Sequence, residues 1–258
     1  MATLFISDLH IDSSRPAITD QFLSFLGAEA VHATALYILG DLFESWVGDD
    51  APDAAQSATI AGLRALTRSG VPCFVLHGNR DFLLGTDFCK ASGATLLPDP
   101  LIVTLYGERV LVTHGDALCT DDRAYQRLRA TVRDEDWRRR FSGLTSTARQ
   151  TIAGAARAGS QAHTAELSTQ ITDVNRDTVA IAMRAAHINV LLHGHTHRPG
   201  IHAFEVDGRP CTRIVLGDWY DQGSVLRWSD EGPELVSLRR SSAAGADRSG
   251  NGTAGLAR

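Results

Sequence analysis

Short apolar runs recur along this chain, and each one runs directly into a polar cluster. Leu4–Ser7 leads into Asp8-Leu9-His10, and Ala35–Leu39 into Gly40-Asp41. Val71–Leu76 leads into His77-Gly78-Asn79-Arg80-Asp81, and Arg109–Thr113 into His114-Gly115-Asp116. Val190–Leu192 leads into His193-Gly194-His195-Thr196-His197-Arg198. Apolar runs this short, bounded by turn residues, predict buried strands. Between the early strands the period changes. Phe22, Leu23, Phe25 and Leu26 mark a helix within 19–30, and Ile60, Leu63 and Leu66 mark another within 53–69, stopped by Gly70. Leu101–Leu105 pairs with Arg109–Thr113 as a hairpin across Tyr106-Gly107-Glu108. Ile201–Val206 and Thr212–Leu216 flank a turn at Asp207-Gly208, and Gly223–Trp228 with Glu234–Leu238 forms a last hairpin. Strands alternating with helices predict an α/β fold.

From Asp121 to Ala186 the strand pattern vanishes and helical signals dominate. This predicts a core made of residues 1–120 and 187–240, interrupted by a helical cap over 121–186. Residues 241–258 are Ser, Ala, Gly and polar, too poor in apolar side chains to bury a core, and are expected to be disordered. The cap holds eleven arginines against eight acids, in a chain whose net charge is −5. That contrast predicts a basic cap over an acidic centre, although a merely solvated helical face would show the same excess.

Composition narrows the function classes. A net charge of −5 gives no support for nucleic acid as the main partner. Lys90 is the one lysine, so anion recognition falls to guanidinium groups, which bind phosphate bidentately. The four cysteines, Cys73, Cys89, Cys119 and Cys211, form no CxxC pair, and a cytosolic, reduced setting is expected. No apolar run reaches the roughly 18–20 residues of a membrane span.

The chemistry sits at the strand ends. Asp8, His10, Asp41, Asn79, His114, His195 and His197 all follow the carboxyl end of an apolar run, where sites form in open α/β sheets. Their spacing is too wide for a zinc finger. Mixed oxygen and imidazole donors suit manganese, iron or zinc. Seven ligands are too many for one ion with an open position. Two ions bridged by one carboxylate would receive four each, and Asp41 is the best candidate for the bridge. Ser7 and Ser45 lack the glycine-flanked elbow of a hydrolase nucleophile, and there is no phosphate loop with a lysine.

Asp8-x-His10, Gly40-Asp41, Gly78-Asn79-Arg80-Asp81, His114-Gly115-Asp116 and Gly194-His195-Thr196-His197 resemble, in order, the five blocks of the calcineurin-like metallophosphoesterases. The resemblance implies a two-sheet α/β sandwich with helices outside. It assigns Asp8, His10, Asp41 and His197 to one ion, and Asp41, Asn79, His114 and His195 to the other. Longer stretches, Gly40–Asp50, His77–Leu83 and His114–Gln126, resemble the UDP-2,3-diacylglucosamine diphosphatase family of lipid A biosynthesis. That resemblance implies two Mn2+ ions and water attack on the α-phosphorus of a UDP-linked glycolipid. It also implies work at the cytoplasmic face of the inner membrane as a peripheral protein; a monomer is expected.

By the same resemblance, Asn79, Arg80 and His195 serve catalysis, and the glycolipid is held by Asn79, Arg80, His195, Asp122, Tyr125, Arg157, Ser160, Thr164 and Leu167. Thr164 and Leu167 stand where the family has an asparagine and a lysine, so one cation of the phosphate grip is missing. Apolar cap residues such as Leu144, Ile152, Ile181 and Met183 would line a lipid cavity or simply pack the cap. Asp81 is expected to orient His114, while His77 and His193 are expected to be non-ligands. Trp46 and Phe82 are expected either in the pocket wall or in the core. Gly217-Asp218-Trp219 is read as structural support. The competing functions are a dimetal phosphoesterase for a soluble nucleotide or other phosphoester, and a lipid-binding module with a vestigial site.

Overall fold

A computed structural model of the chain describes residues 1–166 and 171–238, the side chains of 161–166 excepted. Leu167 and the side chain of Thr164 therefore lie outside the described residues, as does the tail 241–258.

Two sheets face each other. The first is built from β1 (Thr3–Ile6), β2 (Ala35–Ile38), β3 (Cys73–Val75), β4 (Thr95–Leu96), β10 (Gly223–Ser229) and β11 (Gly232–Leu238), in the order β11-β10-β1-β2-β3-β4. The second contains β5 (Leu101–Leu105), β6 (Glu108–Thr113), β7 (Val190–His193), β8 (Gly200–Val206) and β9 (Arg209–Val215), in the order β5-β6-β7-β9-β8. Strands β1, β2 and β3 run parallel, with Leu4 opposite Leu36 and Leu36 opposite Cys73. Strands β6, β7 and β9 also run parallel. Parallel strands put their carboxyl ends on one edge, so the polar clusters after β1, β2, β3, β6 and β7 converge.

Alternation along each strand divides the core. On β1, Phe5 points between the sheets, where it meets Leu39, Leu76, Val112, Leu192 and Trp228. Its neighbours Leu4 and Ile6 point outward to helices α1 (Pro16–Ala28) and α2 (Ala54–Arg68), joining Phe22 and Leu63. On β6, Val110 and Val112 face inward while Leu111 faces out. Each large side chain buried this way contributes about 1.5–3 kcal/mol.

Local chemistry sets the helix ends. Pro16 opens α1 at a position where its missing N–H costs nothing. The Asp53 side chain accepts from Gln56 N at 2.8 Å, and Gln56 Oε1 accepts from Asp53 N at 2.9 Å; this capping box starts α2. Helix α3 (Thr86–Ser92) and strand β4 are too short to show in the periodicity, and were missed in the sequence.

The described residues between 121 and 186 include α4 (Arg123–Arg133), α5 (Glu135–Ser142), α6 (Ser146–Glu166) and α7 (Arg176–Ala186). Helix α7 does not overhang the site. Its Val179 and Met183 pack with Leu111, Leu191, Val206 and Cys211 on the outer face of the second sheet. Within the segment expected as a cap, α7 is thus a layer on the second sheet. Among the described residues no helix is long and apolar enough to cross a membrane.

Candidate metal centre

The seven strand-end residues come together. Asp8, His10 and His197 offer ligand atoms within 4.8 Å of one another, and Asp41, His114 and His195 form a second such group. Asp41 lies between them. Its Oδ2 is 3.8 Å from His10 Nε2, and its Oδ1 is 3.8 Å from His114 Nε2. Asn79 joins the second group, its Oδ1 3.0 Å from His114 Nε2.

The backbone at this edge is unusual. Asp8, His10, Asp41, His195 and His197 have φ of 56°, 51°, 51°, 67° and 55°. Left-handed backbone costs a non-glycine residue about 1–3 kcal/mol, tolerated where the surroundings over-determine it. Here the surroundings are explicit. Asp8 N donates to Gly40 O at 3.1 Å and His10 N to Asp41 O at 3.0 Å, which straps the first block to the second. His195 N donates to Asp8 Oδ2 at 2.8 Å, which straps the last block to the first; the Ser7 hydroxyl donates to the same carboxylate. Arg80 N donates to Asp41 Oδ1 at 2.8 Å. Two glycines allow the close approach. A Cβ on Gly78 would collide with the backbone and carboxylate of Asp41, and one on Gly194 with Ser7 and Asp8.

The imidazoles are aimed by what holds their far nitrogens. His114 Nδ1 donates to Leu39 O at 2.8 Å. His10 Nδ1 lies 3.1 Å from Glu44 Oε2, and His197 Nδ1 lies 3.4 Å from Asp218 Oδ2. Each arrangement leaves Nε2 for the centre, where His10 Nε2 and His197 Nε2 are 3.2 Å apart. Of these contacts, that of His10 Nδ1 with Glu44 is an ion-pair approach without hydrogen-bond geometry; His195 Nδ1 and Asp8 Oδ1 are likewise buried without a hydrogen-bond partner. Buried polar atoms without partners are costly unless something else satisfies them. Two nitrogen-and-oxygen pockets with such atoms, sharing one carboxylate and lacking thiolate, fit a pair of divalent ions.

Electrostatics agree with a crowded ligand set. Burial alone would raise Asp8, but His197, His114 and His10 hold it below the ordinary carboxylate value. Burial would lower His114, yet Asp41 and Asp8 push it up to about 9. Burial, with His114 beside it, pulls His195 down to about 4.

Asp81 corrects an expectation. It does not orient His114. It is fully buried and accepts from the backbone N–H of Leu42 and Gly78, each at 2.8 Å, and of Asp41 at 3.3 Å. It thus ties the second block to the third, while a carbonyl does the orienting. Burial and the nearby Asp41 raise its acid to about 6. His77 and His193 turn away from the ligand groups, toward Leu84 O and Gly194 O, each at 2.8 Å.

The expected substrate residues surround this centre. Asn79, Arg80, Asp122, Tyr125, Ser160, His195 and His197 line a pocket of about 950 Å³ over the ligands. A second cleft of about 840 Å³ lies beside it under the cap. It shares Asn79, Arg80, Tyr125 and Ser160, and adds Arg157 and apolar walls that include Trp46, Phe82, Val132, Trp137, Phe141 and Ile152. Trp46 and Phe82 are thus both wall residues, and Trp46 also stacks on Phe43 at 4.8 Å. Asp122 caps α4 by accepting from Tyr125 N at 2.9 Å. The Tyr125 hydroxyl donates to Asp116 Oδ2 at 2.8 Å, and its ring sits 5.9 Å from that of His195.

Several contributors were not read from the sequence. Buried Asp116 also takes Arg129 Nε at 2.7 Å and Arg133 Nη2 at 3.4 Å; Arg133 Nη2 reaches Gly78 O at 3.0 Å as well. Arg149, 3% exposed, donates to Val47 O at 2.6 Å and grips Asp50. The excess charge of the cap is thus partly turned inward, onto the loops that carry the ligands. Glu44 and Asp218 sat inside recognised blocks, and only the fold shows them behind His10 and His197.

Residues 1–199 match the family model described as calcineurin-like phosphoesterase. A protein of Stenotrophomonas maltophilia named UDP-2,3-diacylglucosamine hydrolase is 51% identical over 247 residues, covering 93% of this chain and 100% of its own. Proteins of the same name from Xanthomonas axonopodis pv. citri and Salmonella arizonae are 49% and 48% identical, covering 92% of this chain and 99% of their own. With five blocks of ligand-type residues converging from strand ends of both sheets and a family match over residues 1–199, this chain belongs to the calcineurin-like phosphoesterases.

Proposed function

We propose that this chain hydrolyses the diphosphate of UDP-2,3-diacylglucosamine to UMP and 2,3-diacylglucosamine 1-phosphate in lipid A biosynthesis. The observation that carries this reading is that two cavities adjoin. A polar pocket over the ligand residues adjoins an apolar cleft under the cap, and Asn79, Arg80, Tyr125 and Ser160 line both. A soluble nucleotide has no use for the apolar half; an acylated sugar diphosphate matches both halves. The names of the relatives point to the same substrate.

Asp8, His10, Asp41 and His197 would hold one ion, and Asp41, Asn79, His114 and His195 the other, with Mn2+ suited to the donor set. Bound there, two divalent ions supply Lewis acidity and a water nucleophile near neutral pH. The chain's own residues do the rest. Water adds at the α-phosphorus as the bond to the bridging oxygen breaks, so that oxygen leaves with the acylated sugar phosphate. Arg80 lines both cavities, and its buried Nε has no hydrogen-bond partner, a donor suited to charge growing on the phosphoryl oxygens. Arg80 forms no ion pair with Asp81 among the described residues, because Asp81 is spent on backbone N–H groups. Asn79, between His114 and the pocket, orients the phosphate, as does His195. Arg157 and Ser160, together with the α4 end that carries Asp122 and Tyr125, grip the sugar phosphate. The apolar walls exclude water from the acyl chains.

The setting proposed is the cytoplasmic face of the inner membrane, as a peripheral monomer. Leu128, Leu144 and Ile152 stand 45%, 41% and 44% exposed on an arginine-rich cap, a surface suited to anionic lipid. Co-sedimentation with anionic vesicles should fall as salt is added.

The deciding experiment is mass-spectrometric detection of UMP from UDP-2,3-diacylglucosamine with purified protein, with Mn2+, Mg2+ and Zn2+ in parallel arms. UMP release in the Mn2+ arm, with little from UDP-N-acetylglucosamine, is expected. Comparable turnover of both substrates would replace the glycolipid by a soluble nucleotide, and no release from either would end the proposal.

A further inference from the structure

Glu44 follows the second ligand block by three residues, yet it belongs to neither ligand group. Its side chain is 7% exposed and touches three basic groups. Oε2 is 3.1 Å from His10 Nδ1 and accepts from Arg15 Nη2 at 3.0 Å. Oε1 faces Arg157 Nη1 of α6 at 3.7 Å. The Arg15 nitrogen that binds the carboxylate also donates to the carbonyl of His10 at 3.1 Å. One carboxylate–guanidinium unit therefore meets His10 at both ends, by an ion-pair approach to the ring and a hydrogen bond to the main chain. Behind it, Tyr220 lies nearly parallel to the His10 ring, with centroids 5.2 Å apart and planes at 15°, while Arg15 sits 4.7 Å over Tyr220. Backbone bonds from His10 N to Asp41 O and from Glu44 N to Ile11 O close the strap.

This arrangement answers a specific need. His10 sits in left-handed backbone at φ 51°, so its ring direction is not guaranteed by its own conformation. A neutral imidazole also has two tautomers, and only a proton on Nδ1 leaves Nε2 as a donor pair for an ion. A carboxylate 3.1 Å from Nδ1 favours the tautomer with its proton there and holds the ring with Nε2 toward the centre. We infer that Glu44, steadied by Arg15, is the positioning residue that orients His10 and fixes its tautomer, and thereby sets the affinity of the ion site formed by Asp8, His10 and His197. The inference rests on the two-ion reading above.

The test is Mn2+ titration of the metal-free protein by calorimetry, with electron paramagnetic resonance read at each step. Wild type should bind two ions and develop the exchange-coupled signal of a Mn2+ pair. Glu44→Met keeps the volume and removes the acceptor. It should bind one ion normally and the second about 10–100-fold more weakly, with the signal of an isolated ion persisting. Glu44→Gln keeps one acceptor and should fall between the two. Asp50→Asn breaks a different core–cap pair, with Arg149, and should leave both affinities within about twofold. Circular dichroism of the metal-free proteins checks folding, and Glu44→Gln alone decides the matter if the methionine variant does not fold. Two ions bound by the Glu44 variants with wild-type affinity would overturn the role of Glu44. Fewer than two ions in wild type would overturn the two-ion reading itself, and this inference with it.

Discussion

At the scale of single residues, the site depends on carboxylates with different tasks. Asp41 faces both ligand groups, 3.8 Å from an imidazole of each. Asp41→Asn keeps the shape and one oxygen but removes the charge that serves both sides. On the two-ion reading, metal analysis of protein loaded with a divalent ion should show bound metal falling from two equivalents toward one, and kcat should fall by about a hundredfold or more, since paired-ion catalysis needs both ions. Asp81, one block away, has a different job: it gathers N–H groups of the Gly40 and Gly78 loops. The distinction was not legible in the sequence, where Asp81 is simply the acid next to a ligand block. Which N–H groups face a carboxylate is set by how two loops meet.

At the scale of elements, the cap is fastened by ion pairs to the loops it covers. Helix α4 reaches Asp116 through Tyr125, Arg129 and Arg133, and α6 reaches Val47 and Asp50 through Arg149. Arg149→Met fills the same space without the grip. The guanidinium is buried but Asp50 is mostly exposed, so the loss should be about 1–2 kcal/mol rather than that of a fully buried pair. Urea midpoints should fall accordingly, trypsin should cut the cap sooner, and KM for the acylated substrate should rise more than kcat falls. A second tether precedes α7, where Asp173 pairs with Arg213 at 3.2 Å and Arg198 at 3.3 Å. Burial would raise this acid, but the Val174 N–H and Arg213 pull it below the ordinary carboxylate value. The sign follows from a depressed folded-state value: the stabilisation is full above the unfolded value near 4 and is lost as pH falls below it. The urea midpoint difference between wild type and Asp173→Asn should therefore be clear at pH 7 and shrink toward pH 3. A difference that grows on acidification would contradict the assignment.

For the molecule as a whole, the layers settle what is accessible. Cys73, Cys119 and Cys211 are buried, and Cys89 is half-buried on α3. Burial pushes the Cys73 and Cys119 thiols up to about 12. A thiol held that high is not a nucleophile at neutral pH. A chromogenic disulfide reagent at pH 8 should label about one thiol per native chain and all four after denaturation. Rapid labelling of more than one in the folded protein would show that the core opens more readily than this packing implies.

The primary sequence by itself determined the α/β alternation, the five strand-end blocks and their seven ligand-type residues, and the helical nature of 121–186. Those follow from periodicity and local chemistry, which neighbouring residues carry. Strand ends were legible to within two or three residues because turn residues punctuate them. Only the tertiary structure decided which acid stands behind which imidazole. It also decided that α7 belongs to the second sheet, and that Asp8, His10, Asp41, His195 and His197 share left-handed backbone. The physical reason is common to all three. Each depends on contacts between segments far apart in the chain, such as His195 N with Asp8, or Glu44 with Arg157, whose geometry no local propensity encodes. Five residues adopt a costly backbone conformation here because hydrogen bonds from other loops leave them no cheaper one.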